Sequence, residues 1–155
     1  MRENSVKMLH INREDFSLSN LDYFLLSVSN EERCYEVLKI LLEKEVRIKN
    51  IILIIYEKYE GVEINEKIKE ELKKYVNSIK IIKCSITTEG QDGIELSKIG
   101  IMMNDTVGFD ITGFAIPDIF RNLYVLNTVI GIPYINIFYT EPKYCLLYTS
   151  DAADE

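Results

Sequence analysis

The segments YFLLSV at residues 23–28 and NIILIIY at residues 50–56 are nearly uninterrupted apolar runs of strand length. Such runs are typical of strands that are covered on both faces, as in parallel sheets. Three further runs follow, at residues 79–84 (IKIIKC), 106–111 (TVGFDI) and 134–139 (YINIFY). The first of these three is more polar, which suits a strand at the edge of the sheet. The sequence therefore predicts about five strands.

Apolar residues at helical spacing separate these strands and predict four helices, within residues 29–44, 65–76, 92–103 and 117–130. The first helix is expected to start with a capping box, in which Ser29 and Glu32 each satisfy a free backbone N–H of the other. The fourth has Pro117 in its first turn and Gly131 as its stop signal. Strands that alternate with helices are characteristic of βαβ units. The predicted fold is therefore α/β, a three-layer Rossmann-like domain with a mostly parallel sheet.

The domain is expected to cover residues 21–144, after an N-terminal arm or additional edge element in residues 1–20. Residues 145–155, CLLYTSDAADE, resemble one reading frame of a DNA-sequencing adapter. We therefore interpret them as a non-native tail and expect the native chain to be truncated near Tyr144.

The charge and composition exclude several classes of function. Residues 145–155 hold three of the 25 acidic side chains and no basic one, so 22 acids against 18 bases remain and the net charge changes from −7 to −4. A mildly acidic domain is a poor general binder of nucleic acid or of anionic membranes. No apolar run has membrane-spanning length, and the N-terminus lacks a signal peptide. We expect a cytoplasmic protein, and the Ile-, Lys- and Asn-rich composition suggests a bacterial source.

Several chemical signatures are missing from the sequence. Cys34 and Cys84 fit neither a disulfide framework nor a zinc motif, and His10 has no second ligand nearby. There is no GxGxxG motif, no P-loop and no histidine placed for a nucleophilic triad. No catalytic residue, resident metal or cofactor is predicted, and whether the protein is an enzyme stays open.

Polar side chains follow the first predicted strand. In an open parallel sheet, ligands bind outside the carboxyl ends of the strands, where the strand order reverses. Ser29 and Asn30, with Arg33 nearby, lie between the first strand and the first helix and could hold an anionic group. The alternative is that they only cap the helix.

Polar residues also end the fourth and fifth strands. Asp110, Thr112 and Gly113 form a plausible ligand-binding turn, although Asp and Thr at such a turn can instead satisfy its own backbone. Tyr139, at the end of the fifth strand, could stack on a base, or it could simply pack there.

The segment from Asp110 to Gly113, between an apolar strand and a long apolar helix, resembles the strand-end motif of CARF domains in CRISPR-associated proteins. Asp110, Thr112 and Gly113 match that motif, and residues 27–33 occupy the place of the polar loop after the first strand. Phe114, Ala115 and Ile116 stand where the family has Gly, Thr and Lys. The resemblance implies a Rossmann-like sensor of cyclic oligoadenylates that acts in antiviral defence. It also implies a homodimer and an effector region beyond residue 144.

Three functions are compatible with these features. The first is a ligand-sensing domain for a nucleotide or cyclic oligonucleotide, which uses the residues named above. The second is a metal-dependent phosphodiesterase or nuclease, in which Glu31 or Glu32, Asp110 and Glu141 would hold Mg²⁺. The third is an interaction domain without a ligand.

Overall fold

The strands and helices of the protein alternate along the chain as the apolar runs predict. A computed structural model describes residues 6–9, 19–27, 35–56, 66–84 and 90–140. The strands are β1 (Val6–Leu9), β2 (Asn20–Ser27), β3 (Arg47–Tyr56), β4 (Ser78–Cys84), β5 (Val107–Asp110) and β6 (Ile135–Thr140). The helices are α1 (Glu36–Glu43), α2 (Glu66–Lys73), α3 (Gln91–Ser97) and α4 (Ile116–Tyr124), and α4 continues as a π-helical segment, Val125–Val129.

Within the described residues, one sheet has the strand order β1-β6-β5-β2-β3-β4. Strands β2 to β6 are parallel to one another, and β1 is added antiparallel to β6 at one edge. The polar segment β4 lies at the other edge, as predicted. The fold is thus the predicted three-layer α/β Rossmann-like fold, with a five-stranded parallel sheet and one antiparallel edge strand.

Helices cover both faces of this sheet. On one face, which we call the α1 face, Val37, Leu38 and Leu41 of α1 pack with Leu72 of α2 against Phe24 and Leu26 of β2 and their neighbours. On the opposite face, which we call the α4 face, the core contains Leu96, Val125 and Leu126 together with Leu25, Ile52 and Phe109. Because both faces are covered, β2 and β3 can be apolar at almost every position.

Gly108 in the middle of β5 makes room for the core of the α1 face. A Cβ atom at this position would lie 2.9 Å from Leu21 Cδ1, 3.0 Å from Phe138 Cε2 and 3.1 Å from Phe24 Cδ1. The rings of Phe24 and Phe138 therefore meet edge to face above the glycine, with centroids 6.0 Å apart. Any larger residue here would push these two rings away from the strand.

Helix α3 ends earlier than predicted, and helix α4 ends at the predicted place but contains an unpredicted π-helical segment. Helix α3 stops at Ser97, before residue 103, because the chain turns at Gly100, whose φ is +100°. Helix α4 changes to π-helical hydrogen bonding after Tyr124, and the N–H of Ile130 donates to the carbonyl of Val125 at 2.9 Å. The predicted stop is in place, since Gly131 follows directly with a φ of +89°.

Candidate functional site

The strand order reverses between β2 and β5. Strand β2 pairs with β3 on one side and with β5 on the other, so the α1 and α4 connections leave this point in opposite directions. The carboxyl ends here are Ser27 and Asp110. In parallel α/β sheets this position is where ligands bind. The sequence indicated Asp110 as a candidate because it is a polar residue at the end of an apolar strand.

Asp110 is a buried carboxylate, with only 1% of its surface exposed. Its Oδ1 accepts a 3.0 Å hydrogen bond from the backbone N–H of Thr112, and the hydroxyl oxygen of Thr112 accepts a 3.2 Å hydrogen bond from the N–H of Thr140. The N–H of Ile111 donates to the carbonyl of Phe138 at 3.0 Å. These bonds fix the turn after β5 against the end of β6. Thr112 and Gly113 remain partly exposed at its tip.

Asp110 and Tyr139 are not brought together. Asp110 is in register with Phe138, which belongs to the core of the α1 face. Successive side chains of a strand alternate between the two faces, so Tyr139 points to the opposite face from Asp110. Tyr139 is in register with Lys7 of β1 and is half-buried. The structure thus unites Asp110, Thr112 and Gly113 and separates Tyr139 from them.

Ser29, Asn30 and Arg33, with the capping box to which Ser29 belongs, lie outside the described residues. Residues 28–34 connect Ser27 to Tyr35. Helix α1 begins at Glu36 and packs on the same face of the sheet to which Asp110 points. Both ends of this loop therefore lie at the carboxyl edge of the sheet.

Of the carboxylates in the phosphodiesterase hypothesis, some belong to the described residues and others do not. Asp110 is described, whereas Glu31, Glu32 and Glu141 lie outside the described residues. In the part of the chain that the structure describes, no group of three or more His, Cys, Asp or Glu side chains is placed to hold a metal ion.

A second polar cluster at the carboxyl edge was not predicted. Asp92, in the first turn of α3, is 1% exposed and lies on the α4 face. Its carboxylate accepts hydrogen bonds from Tyr56 Oη at 2.9 Å, Asn122 Nδ2 at 3.1 Å and Arg121 at 3.2 Å, and from the N–H of Gly93 at 2.9 Å. Arg121 also binds Asp118 at 2.9 Å. We call Tyr56, Asp92, Asp118, Arg121 and Asn122 the Asp92 cluster.

The pKa values of groups in and beside the cluster follow from burial and from this carboxylate. Burial raises the pKa of Tyr56, and the charge of Asp92 raises it further, so the phenol stays protonated and keeps donating. Burial alone would lower the pKa of Arg121, but the carboxylates of Asp92 and Asp118 outweigh that effect and raise it. Burial and the charge of Asp92 raise the pKa of Cys84, next to Tyr56 in the sheet, to about 12. Tyr56 and Arg121 therefore both keep their protons around neutral pH.

Phe114 closes the region between the Asp110 turn and the Asp92 cluster. Its ring meets Phe109 edge to face at 5.0 Å and Tyr56 at 6.2 Å between centroids. The departure from the CARF motif at this position thus has a structural role, because the side chain completes the core of the α4 face. A glycine at position 114 would leave this space unfilled.

Two buried polar atoms on the α4 side of this edge have no hydrogen-bond partner within the described residues. They are the hydroxyl of Ser27 at the end of β2 and Asn122 Oδ1 in the Asp92 cluster, and both residues are at most 1% exposed. Buried polar atoms are normally satisfied by protein or by ordered water.

The sequence carries little signal for the Asp92 cluster. An aspartate near a helix start is common for local reasons, so Asp92, at the start of the helix predicted within residues 92–103, does not stand out in the sequence. Tyr56 and Asp92 are 36 residues apart, and Arg121 lies 29 residues beyond Asp92. Their meeting depends on the crossover from β4 through α3 to β5, which spacing along the chain does not reveal.

In comparisons with protein-family models, curated proteins and solved structures, the chain matched none of them. Among the described helices, none combines the length and the apolar character that are needed to cross a membrane.

Proposed function

We propose that the protein is a ligand-sensing domain and that its ligand is a nucleotide or a cyclic oligonucleotide. The observation that carries this proposal is the position of Asp110. A carboxylate that is 1% exposed ends the strand beside the reversal of strand order, and the turn after it leaves Thr112 and Gly113 partly exposed. Ligands of open parallel α/β sheets bind at this position, outside the carboxyl ends of the strands.

The groups of this turn suit the parts of a nucleotide. A carboxylate accepts hydrogen bonds from ribose hydroxyls and from the amino groups of bases. The hydroxyl oxygen of Thr112 accepts the bond from Thr140, which leaves its hydrogen for an acceptor such as a phosphate oxygen. Gly113 has no side chain and so lets a ligand approach its backbone closely. Ser29, Asn30 and Arg33 lie outside the described residues, and the proposal includes them because the sequence indicates them as candidates to hold an anionic group.

The proposal is tested by thermal unfolding of the chain with separate probes: inorganic phosphate, adenosine, ATP and cyclic tetra-adenylate. A ligand that binds only the folded state stabilises it by about 2.7 kcal/mol at a concentration of 100 times Kd. We expect at least one nucleotide probe to raise the Tm, and inorganic phosphate alone to raise it less.

Isosteric variants then locate the site. Asp110→Asn removes the charge and Thr112→Val removes the hydroxyl, and we expect each to reduce the ligand-induced rise in Tm by at least half. The matched controls Asp105→Asn and Thr106→Val change the same residue types at the amino end of β5 and should keep the full rise. If no nucleotide probe raises the Tm of the unaltered chain, or if Asp110→Asn keeps the full rise, the proposal is wrong.

A further inference from the structure

A cavity of about 390 Å³ lies between helices α1 and α2, on the α1 face of the sheet. Within the described residues, the backbones of these two helices are not closely packed against each other, so the space between them stays open. Pockets that bind small molecules measure about 300–1,000 Å³, and apolar and aromatic side chains form most of their lining. The cavity therefore has the size of a site for a small ligand.

The interior of this cavity is apolar. On the α1 side, the lining residues follow the spacing of one side of a helix and are Tyr35, Leu38, Lys39, Leu42 and Glu43. On the α2 side, they are Glu71, Leu72 and Tyr75. Leu38 and Leu72 belong to the core of the α1 face, so the inner end of the cavity is apolar. Tyr75 is 60% exposed and offers an aromatic ring nearer to solvent. The cavity thus suits a ligand with an apolar or aromatic body.

Charged side chains form the outer rim of the cavity. Lys39, Glu43 and Glu71 line it and are exposed. None of the ion pairs within the described residues includes any of these three side chains. Glu43 comes from α1 and Glu71 from α2, so carboxylates approach the cavity from both sides, and two acids against one base give the rim a net negative charge. Such a rim attracts a cation and repels an anion.

We propose that this cavity binds a small organic cation, namely an amine with an aromatic or other apolar body. The body of the ligand would lie against Leu38 and Leu72. Its ammonium group would lie between Glu43 and Glu71 and near the ring of Tyr75, because the face of an aromatic ring attracts cations. An anion of the same shape would instead meet two carboxylates and a single ammonium group. No residue of the turn after β5 lines the cavity, so this inference does not depend on the ligand proposed above.

Fluorescent probes test this proposal directly. The chain contains no tryptophan, so the emission of an indole compound can be excited without that of the protein. Tryptamine, tryptophol and indole-3-propionate share the indole ring and carry an ammonium group, a hydroxyl and a carboxylate. We expect the protein to raise the fluorescence anisotropy of tryptamine. Tryptophol should bind at least about threefold more weakly, since it lacks the ion pair and the cation–π contact, and indole-3-propionate should bind most weakly. No rise for tryptamine, or an equal affinity for tryptophol, overturns the proposal.

Paired variants test the position of the bound amine. In the double variant Glu43→Gln with Glu71→Gln, the affinity for tryptamine should fall to that for tryptophol, because both carboxylates of the rim are gone. The control Glu36→Gln with Glu70→Gln changes the net charge equally on the same two helices, outside the lining of the cavity, and should keep the preference for tryptamine. All four glutamates are at least partly exposed, so the substitutions leave the core intact. A preference that survives in the first variant, or that the control loses equally, contradicts the proposed site.

Discussion

The hydroxyl of Tyr56 donates a 2.9 Å hydrogen bond to Asp92 Oδ2, which ties the carboxyl end of β3 to the first turn of α3. Arg121 and Asn122 of α4 bind the same carboxylate. Two helices and one strand thus share a single buried negative charge. Removing one partner from a buried ionic group is costly, because the remaining groups lose their compensation.

The first prediction concerns this charge. Asp92→Asn should lower the free energy of unfolding by about 3–5 kcal/mol, the usual cost of breaking a buried ion pair. Tyr56→Phe should lower it by about 1.5–3 kcal/mol, since a bond to a charged group is lost. In the double variant the losses should be smaller than additive. Chemical denaturation measures the free energy of unfolding of the two single variants and the double variant. Tyr134→Phe is the control, because Tyr134 is 68% exposed. An unchanged stability of Tyr56→Phe would contradict this role.

The second prediction concerns the glycine in β5. Gly108→Ala should lower the free energy of unfolding by about 1–3 kcal/mol, the cost of overpacking a core, because its Cβ would lie about 3 Å from Phe138 and Phe24. Replacing the nearest ring should relieve the contact. The loss caused by Gly108→Ala should therefore be smaller in a Phe138→Leu background than in the unaltered chain. Equal losses in both backgrounds would show that the ring is not responsible.

The third prediction concerns pH. The backbone N–H of Thr106 donates to Asp22 at 2.8 Å and Lys49 binds the same carboxylate, so the pKa of Asp22 lies below its ordinary value of 3.8. The charged carboxylate of Asp22 contributes to the free energy of unfolding above pH 3.8, and this contribution is lost as the pH falls through the lowered pKa. It amounts to about 1 kcal/mol at most, because Lys49 is largely exposed and screened.

Thermal unfolding of the unaltered chain and of Asp22→Asn checks this dependence. The unaltered chain should be the more stable one near neutral pH, and the difference should shrink as the pH falls below 3.8. A difference that does not change with pH would mean that the charge of Asp22 has no part in it.

The fourth prediction concerns the thiol of Cys84. Burial and nearby carboxylates raise its pKa from 9.0 to about 12, which lowers the thiolate fraction at neutral pH about 1000-fold. In a chain with Cys34→Ser and Cys145→Ser, an aromatic disulfide reagent should react at least this much more slowly with the native than with the unfolded protein. Ser97→Cys, at an exposed position of α3, should react normally in the same background. Comparable native and unfolded rates for Cys84 would contradict the prediction.

The strands and the three-layer arrangement could be predicted because short runs of neighbouring residues indicate them. Apolar runs such as residues 50–56 need both faces covered, and only a few architectures provide that. Asp110 could be found for a related reason, since it directly follows such a run. The end of α3 at Ser97 was not predicted, and neither was the π-helical segment that follows α4, because both depend on how each helix meets the core.

The sequence did not indicate which side chains lie together in the folded protein when they are far apart along the chain. Tyr139 was grouped with Asp110 because both end strands, yet the alternation of side chains sends them to opposite faces. The Asp92 cluster was missed because its members are separated by 29 and 36 residues and each has an ordinary local explanation. In the sequence, Phe114 is notable only as a departure from a motif. The structure shows that its ring packs between Phe109 and Tyr56.

The position of β2 also has a consequence for the order in which the fold can be completed during synthesis. Strands β2, β3 and β4 come from residues 20–84, and each can pair with its neighbour as it leaves the ribosome. The other side of β2 gains its native partner only when residues 107–110 follow, since Thr106 and Asp22 are 84 residues apart. Until then an apolar central strand keeps one edge open, which is the stage at which a nascent sheet is most prone to pair with the wrong chain.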